Sequence, residues 1–88
     1  MPNANYRRGR DKEYRVKRRL EKEGLIVLRT AGSHGFADLI AIDIDDLKIR
    51  FIQCKPNKFS ETQINKLMQE HKEFNNEDYV WDTTFEVI

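Results

Sequence analysis

The chain has 88 residues, of which 39% are hydrophobic and 35% are charged, and its formal net charge is +1. This length predicts one domain over residues 1–88, and no apolar run approaches the ~20 residues that a membrane-spanning helix needs. The arginine-rich N-terminus lacks the apolar core of a secretory signal, and Cys54, the only cysteine, cannot form an internal disulfide. We therefore expect an intracellular protein with no membrane partner.

The charges are unevenly distributed along the chain. Residues 1–25 carry nine lysines and arginines against four acidic residues, a net charge of +5, whereas residues 68–88 carry one lysine and six acidic residues, a net charge of −5. A basic segment of this kind is typical of a phosphate-binding face. On charge alone, a solvated helix face is the simpler interpretation.

The predicted elements begin with a loose tail at 1–6 and a helix over 8–23 that ends at Gly24. A short apolar strand at 25–28 precedes a turn of small and polar residues at 30–35. Asp38 then opens a strand over 39–42, which an aspartate-rich hairpin turn joins to a strand over 47–55. A second helix begins after the N-cap Ser60, with Gln63 completing a capping box, and ends at Asn75. A last strand covers 79–87. This order predicts an α/β fold with a mixed sheet flanked by two helices.

The first helix carries one carboxylate on its apolar face. Val16 and Leu20 lie four residues apart on that face, and Glu13 shares it. A carboxylate among core-facing positions is costly to bury without a partner. Glu13 is therefore either an edge residue paired with Lys17 or a nearby arginine, or part of a functional site.

Three polar side chains lie at one end of the predicted hairpin. Asp38 begins its first strand, and Gln53 and Lys55 end its second strand, so the three converge at one end of the sheet. Two oxygen ligands suit Mg²⁺, which lowers the pKa of a bound water, and a lysine can orient that water or neutralise charge on a phosphate. The set favours a metal-dependent nuclease, although taken singly Asp38 is a strand-initiating residue and Lys55 an edge lysine.

Two other polar side chains are assigned to packing. Cys54 alternates away from Gln53 and Lys55 along the strand, which predicts a small core residue. His71 lies on the apolar stripe of the second helix, and we expect it to pack and not to bind a ligand.

Short motifs accompany the hairpin residues at characteristic spacings. They are Arg8-Gly9-Arg10, Glu13, Gly24, the turn from Arg29 to Gly35, the segment from Asp38 to Ala41, and Ile52-Gln53-Cys54-Lys55. Together they resemble the PD-(D/E)XK nuclease superfamily, and specifically the archaeal-type Holliday junction resolvases, over roughly residues 7–75. The resemblance implies a restriction-endonuclease-like core with the order α-β-β-β-α-β.

The resemblance also implies a role for each matching residue. Asp38 would be the central metal ligand, Lys55 the catalytic lysine and Glu13 the acidic residue from the first helix. Gln53 takes the position where the family usually has glutamate, so Glu13, Asp38 and Gln53 would hold the metal. Ser33 would contact phosphate or water in the catalytic site. The residues implied to contact DNA are Arg7, Arg8, Arg10, Arg29, Ser33 and His34.

The implied activity is Mg²⁺-dependent nicking of four-way DNA junctions by a homodimer, with Mn²⁺ able to substitute and no small-molecule cofactor. Gln53 supplies a carbonyl ligand but no charge, so two alternatives stay open. One is a superfamily nuclease that acts on other viral or repair DNA substrates, and the other is a DNA-binding relative that has lost activity. The resemblance points to an archaeal or bacterial host, or to a virus of one.

Overall fold

The structure, a computed structural model, describes residues 4–30, 37–55, 59–76 and 80–88, with side chains from Gly9 onward. Its elements are α1 (Ala4–Lys22), β1 (Ile26–Arg29), β2 (Leu39–Asp43), β3 (Lys48–Gln53), α2 (Glu61–Glu70), a short 3-10 helix (Lys72–Phe74) and β4 (Asp82–Val87). The predicted α/β class and the order α-β-β-β-α-β are confirmed. Within the described ranges, no helix has the length and apolar character needed to cross a membrane.

The first helix starts earlier than its sequence predicts. α1 begins at Ala4, so residues 4–6 are helical and the predicted loose tail is wrong for these positions. No proline or glycine interrupts residues 4–8, and a helix extends readily once part of it is packed. Residues 4–8 include only two hydrophobic residues, Ala4 and Tyr6, which are too few to show a helical period.

The end of α1 agrees with the prediction. Gly24 has a φ of 93°, in the left-handed region where glycine is favoured. The Gly24 N–H donates to the Glu21 carbonyl at 3.0 Å, and the Leu25 N–H donates to the Leu20 carbonyl at 3.2 Å. These two bonds form a Schellman motif, which turns the chain from α1 into β1.

The four strands form one mixed sheet in the order β1-β2-β3-β4. β2 pairs antiparallel with β1 and with β3, and β4 pairs parallel with β3. α2 lies in the long connection that a parallel pair requires. β3 begins at Lys48, because Leu47, predicted to be in the strand, adopts a φ of 52° in the hairpin turn. β4 begins at Asp82, and the predicted start at residue 79 lies outside the described residues.

The second helix starts where its capping residues predict. The Gln63 N–H donates to the Ser60 hydroxyl at 3.1 Å, and the Ser60 N–H donates to the Gln63 side-chain oxygen at 2.9 Å, which completes the capping box. The helix ends at Glu70, five residues before the predicted end. The 3-10 helix occupies the interval and is capped by Asn75.

The main core lies between α1 and one face of the sheet. α1 contributes two side chains that pack on inward-facing residues of β1, β2 and β3. The buried cluster consists of Val16, Leu20, Val27, Leu39, Ala41 and Ile52. Because Val16 is buried over these strands, Glu13, one turn earlier in α1, is carried toward the end of the sheet where β2 begins.

The opposite face of the sheet is covered only in part. α2 packs against β4, and the His71 ring stacks on Phe85 with centroids 4.4 Å apart, which confirms the packing role predicted for His71. At the other edge, Ile26 and Leu28 are 48% and 54% exposed. They alternate with the buried Val27, so they point away from α1. This exposed apolar surface of β1 is the β1 patch.

Candidate active site

Asp38 lies directly before β2 and is held on several sides. Its N–H donates to the Ile52 carbonyl at 2.8 Å, and its carbonyl accepts the Thr30 N–H at 3.0 Å. Its Oδ2 atom accepts the main-chain N–H of Cys54 at 2.8 Å. Thr30 also donates its hydroxyl to the carbonyls of Ala37 and Asp38, at 2.7 and 3.2 Å. The predicted meeting of Asp38 with the end of β3 is therefore present, and a main-chain donor fixes the carboxylate.

Glu13 approaches the same end of the sheet from α1. Its Oε1 atom lies 3.6 Å from Arg29 Nε at the end of β1, and both side chains are mostly buried. Burial raises the pKa of Glu13, and the nearby Asp38 carboxylate raises it further, while Arg29 lowers it. The edge interpretation offered Lys17 or a nearby arginine as the partner of Glu13; Lys17 pairs with Glu21 at 3.0 Å, and Arg29 is the arginine beside Glu13. Glu13 is thus placed beside Asp38 and Arg29.

Gln53 is the last residue of β3. Its carbonyl accepts the Ile88 N–H at 2.8 Å, which extends the pairing with β4. Its side-chain oxygen Oε1 is buried and has no hydrogen-bond partner among the described residues. A buried acceptor left unpaired costs about 1–3 kcal/mol, so an oxygen in this position favours a water or a cation as its partner. Strand alternation directs Gln53 to the face opposite the buried Ile52.

Lys55 follows β3 by two residues. Its N–H donates to the Ile88 carbonyl at 2.8 Å. Its ammonium nitrogen lies 5.6 Å from the centre of the Phe59 ring, a cation–π contact. No salt bridge joins Lys55 to a carboxylate of the described residues. The main chain of Lys55 thus directly follows the Cys54 N–H that binds Asp38, while the Lys55 ammonium rests on an aromatic ring.

Cys54 contributes to the site through its main chain. Its side chain is partly buried and packs against the core cluster, as predicted. Burial raises the pKa of the Cys54 thiol to about 11, and the Asp38 and Glu13 carboxylates raise it as well. The thiol is therefore protonated at neutral pH, and the N–H that binds Asp38 is the functional group of this residue.

The donor set fits a hard divalent cation. Among the described residues no three His, Cys, Asp or Glu side chains gather to hold a metal ion, and the third ligand predicted from the sequence, Gln53, is an amide. Glu13 and Asp38 repel each other, and the Gln53 oxygen is an unpaired buried acceptor. A cation bound by these oxygens would offset the repulsion and pair the acceptor. Oxygen-only ligands are those that Mg²⁺ prefers.

The predicted DNA contacts are described only in part. Arg29 lies with its guanidinium carbon 5.0 Å from the centre of the Tyr14 ring, at the edge of the site. Arg10 is partly buried on α1. Ser33 and His34 lie outside the described residues, as do the side chains of Arg7 and Arg8, so their roles stay predictions.

Sequence reasoning missed two contributions to the site. One is the Cys54 N–H, because a main-chain donor leaves no mark in the residue pattern. The other is Lys12, whose ammonium donates to the Lys55 carbonyl, 43 residues away in the chain. The one sequence feature that indicates this contact is the position of Lys12 directly before Glu13, whereas its charge alone does not distinguish it from the rest of the basic segment.

The fold and the site have the arrangement of a PD-(D/E)XK-type nuclease core: a first-helix carboxylate, an aspartate before the second strand, and a lysine after the third. The family model for archaeal Holliday junction resolvase (Hjc) matches residues 4–81. The chain therefore belongs to the archaeal Holliday junction resolvase family.

A similar curated protein is the crossover junction endodeoxyribonuclease Hjc of Methanocaldococcus jannaschii. The two are 44% identical over 61 residues, which cover 69% of this chain and 44% of the relative. The matched part thus spans less than half the length of that protein. No solved structure shows a significant match to the chain.

Proposed function

We propose that this chain is a Mg²⁺-dependent endonuclease that nicks four-way DNA junctions. The observation that carries the proposal is the pair of interacting carboxylates, Glu13 and Asp38, in a chain of this family. The buried and unpartnered Gln53 oxygen at the end of β3 is the third oxygen ligand that we propose. Its curated relative is named for cleavage at crossover junctions. Bound Mg²⁺ would lower the pKa of a water and stabilise charge on the phosphate; Mn²⁺ would substitute.

Cleavage would also depend on side chains that the fold holds in position. Asp38 is oriented by the Cys54 N–H, so its carboxylate is held before any ligand arrives. Glu13 and Gln53 would supply the remaining oxygens, and Arg29 limits the repulsion between the carboxylates. Lys55 would leave its contact with Phe59 to orient the attacking water or to neutralise charge on the scissile phosphate.

The proposed substrate also calls for two copies of the chain. Resolution of a four-way junction requires two symmetric nicks, which a homodimer with a two-fold axis provides. The β1 patch supports this proposal, because exposed apolar side chains on a sheet face are typical of interaction surfaces. Ile26 and Leu28 would then be buried between the two copies.

The test compares three labelled DNA substrates: a four-way junction, a flap and a linear duplex, each with Mg²⁺, with Mn²⁺ and with neither. Symmetric nicks in the junction alone, lost in Asp38→Ala, support the proposal. The matched control is Asp45→Ala in the exposed hairpin turn, which should retain activity. Binding should weaken steeply as salt rises, because phosphate contacts release counterions.

Two other outcomes favour the alternatives. Cleavage of flaps or linear duplex in preference to junctions would indicate a nuclease for other viral or repair substrates. Junction binding without cleavage in either metal would indicate an inactive DNA-binding relative, which the uncharged Gln53 specifically favours. Products that are identical for Asp38→Ala and the wild type would refute the assignment of the site.

A further inference from the structure

Lys12 connects the first helix to the main chain of the proposed catalytic lysine. It precedes Glu13 in α1 and is partly buried. Its ammonium donates a hydrogen bond to the Lys55 carbonyl. The contact therefore joins the helix that carries one carboxylate to the segment that carries the lysine.

The segment from Gln53 to Lys55 is held by partners from three parts of the fold. Ile88 accepts the Lys55 N–H and donates to the Gln53 carbonyl, each at 2.8 Å. Asp38 accepts the Cys54 N–H. Lys12 supplies a donor for the Lys55 carbonyl, so both polar groups of the Lys55 main chain are engaged. The direction in which the Lys55 side chain leaves the backbone depends on this arrangement.

The environment of Lys12 differs from that of a solvated lysine on a helix surface. Its side chain is partly buried, and its ammonium bonds to a carbonyl 43 residues away in the chain.

We propose that Lys12 is a positioning residue of the nuclease site, which holds the Lys55 main chain so that the Lys55 ammonium reaches the scissile phosphate. The proposal rests on the proposed function. This role differs from that of a lysine that binds the DNA backbone. Loss of a positioning contact lowers the rate of the chemical step, whereas loss of a phosphate contact lowers affinity and the salt dependence of binding.

The experiment uses three variants of the full chain. Lys12→Met keeps the unbranched stem and removes the donor, and Lys12→Arg restores a donor. Lys66→Met changes an exposed lysine of α2, away from the site, and serves as the control. Single-turnover cleavage is measured at saturating protein with a labelled four-way junction and Mg²⁺, and the Kd for the junction is measured without metal.

We expect Lys12→Met to cleave on the order of tenfold to a hundredfold more slowly at saturation, with its Kd and salt slope unchanged, because small displacements of a reacting group cost this much. Lys12→Arg should recover most of the rate, and Lys66→Met should match the wild type. A weaker Kd and a shallower salt slope with an unchanged rate at saturation would overturn the proposal.

A structural readout separates failure of this inference from failure of the proposed function. The ¹³C shift of the Lys55 carbonyl, measured without DNA, should change in Lys12→Met and stay unchanged in Lys66→Met. If the wild type cleaves no DNA, the proposed function fails and Lys12 loses its role, whatever the shift shows. An active wild type whose Lys55 shift and cleavage rate are both insensitive to Lys12→Met would overturn the Lys12 proposal alone.

Discussion

Replacement of Gln53 by glutamate tests the metal site directly. Gln53→Glu would add a third carboxylate to the proposed ligands Glu13 and Asp38, at the end of β3 where a buried amide oxygen now lacks a partner. The pKa of Glu13 is already raised by burial and by Asp38. Without metal, the added charge should raise the pKa of Glu13 further and destabilise the fold. With Mg²⁺, the same charge should strengthen cation binding.

The size of the effect follows from binding linkage. We expect about tenfold tighter Mg²⁺ binding, because a charged ligand replaces a neutral one, and this adds about 1.4 kcal/mol of stabilisation at saturating metal. In a domain of this length, 1 kcal/mol moves the Tm by about 4–8 °C. The rise in Tm on addition of Mg²⁺ should therefore be about 6–11 °C larger in Gln53→Glu than in the wild type.

The assay is thermal unfolding with and without Mg²⁺, combined with a Mg²⁺ titration of junction cleavage. Gln69→Glu is the control, because it makes the same chemical change at an exposed position of α2 and should leave the Mg²⁺ response unchanged. Gln53→Glu should retain or increase activity and need less Mg²⁺. An unchanged Mg²⁺ response, or complete loss of cleavage by a folded variant, would refute this account of Gln53.

Three further predictions concern stability and assembly. Gly24→Ala should lower the free energy of unfolding by about 1–2 kcal/mol because of the φ of 93° at this position. Gly9→Ala, inside α1, should raise the free energy of unfolding by about 1 kcal/mol. At both positions an added Cβ would meet no atom within 4 Å beyond the chain neighbours and the helix's own backbone, and urea unfolding distinguishes the two variants. Leu28→Lys should shift a dimer toward monomer in sedimentation, whereas Val80→Lys, just before the opposite edge strand β4, should not. If the two variants sediment alike, the β1 patch is excluded as the dimer contact. The hydrogen bonds from Arg50 lower the pKa of Glu86. The ion pair therefore stabilises the fold above the usual glutamate pKa, and this stabilisation is lost as the pH falls through the lower folded-state pKa. Glu86→Gln should be on the order of 1 kcal/mol less stable than the wild type at pH 7 and equally stable in acid.

Local signals in the sequence were sufficient to predict most of the fold. Gly24 marks a helix end because few other residues accept its φ, and Ser60 with Gln63 marks a helix start because both side chains bond to the main chain. The apolar run from Leu39 to Ile42 predicted a strand, and β2 spans Leu39–Asp43. Each of these features depends on residues close together in the chain, so the pattern alone predicts the structure.

The parts that were not predictable depend on distant parts of the chain. The bond from the Cys54 N–H to Asp38 requires a particular offset between β2 and β3, and main-chain donors are the same for every residue type. The contact of Lys12 with the Lys55 carbonyl requires the placement of α1 over the sheet. Neither the offset nor the placement is encoded in spacing along one element, so sequence reasoning reached the members of the site but not its connections.

The uncharged Gln53 has a physical explanation in the size of the domain. The described residues include eight buried hydrophobic side chains, so the core that offsets unfavourable charge burial is small. Burial raises the pKa of Glu13, and repulsion by the Asp38 carboxylate raises it further. A third carboxylate would strain the metal-free protein most, whereas an amide keeps an oxygen ligand and adds no charge. Gln53 thus favours stability of the metal-free protein at the expense of metal affinity. In Gln53→Glu, the stability without metal should fall while the affinity for Mg²⁺ rises.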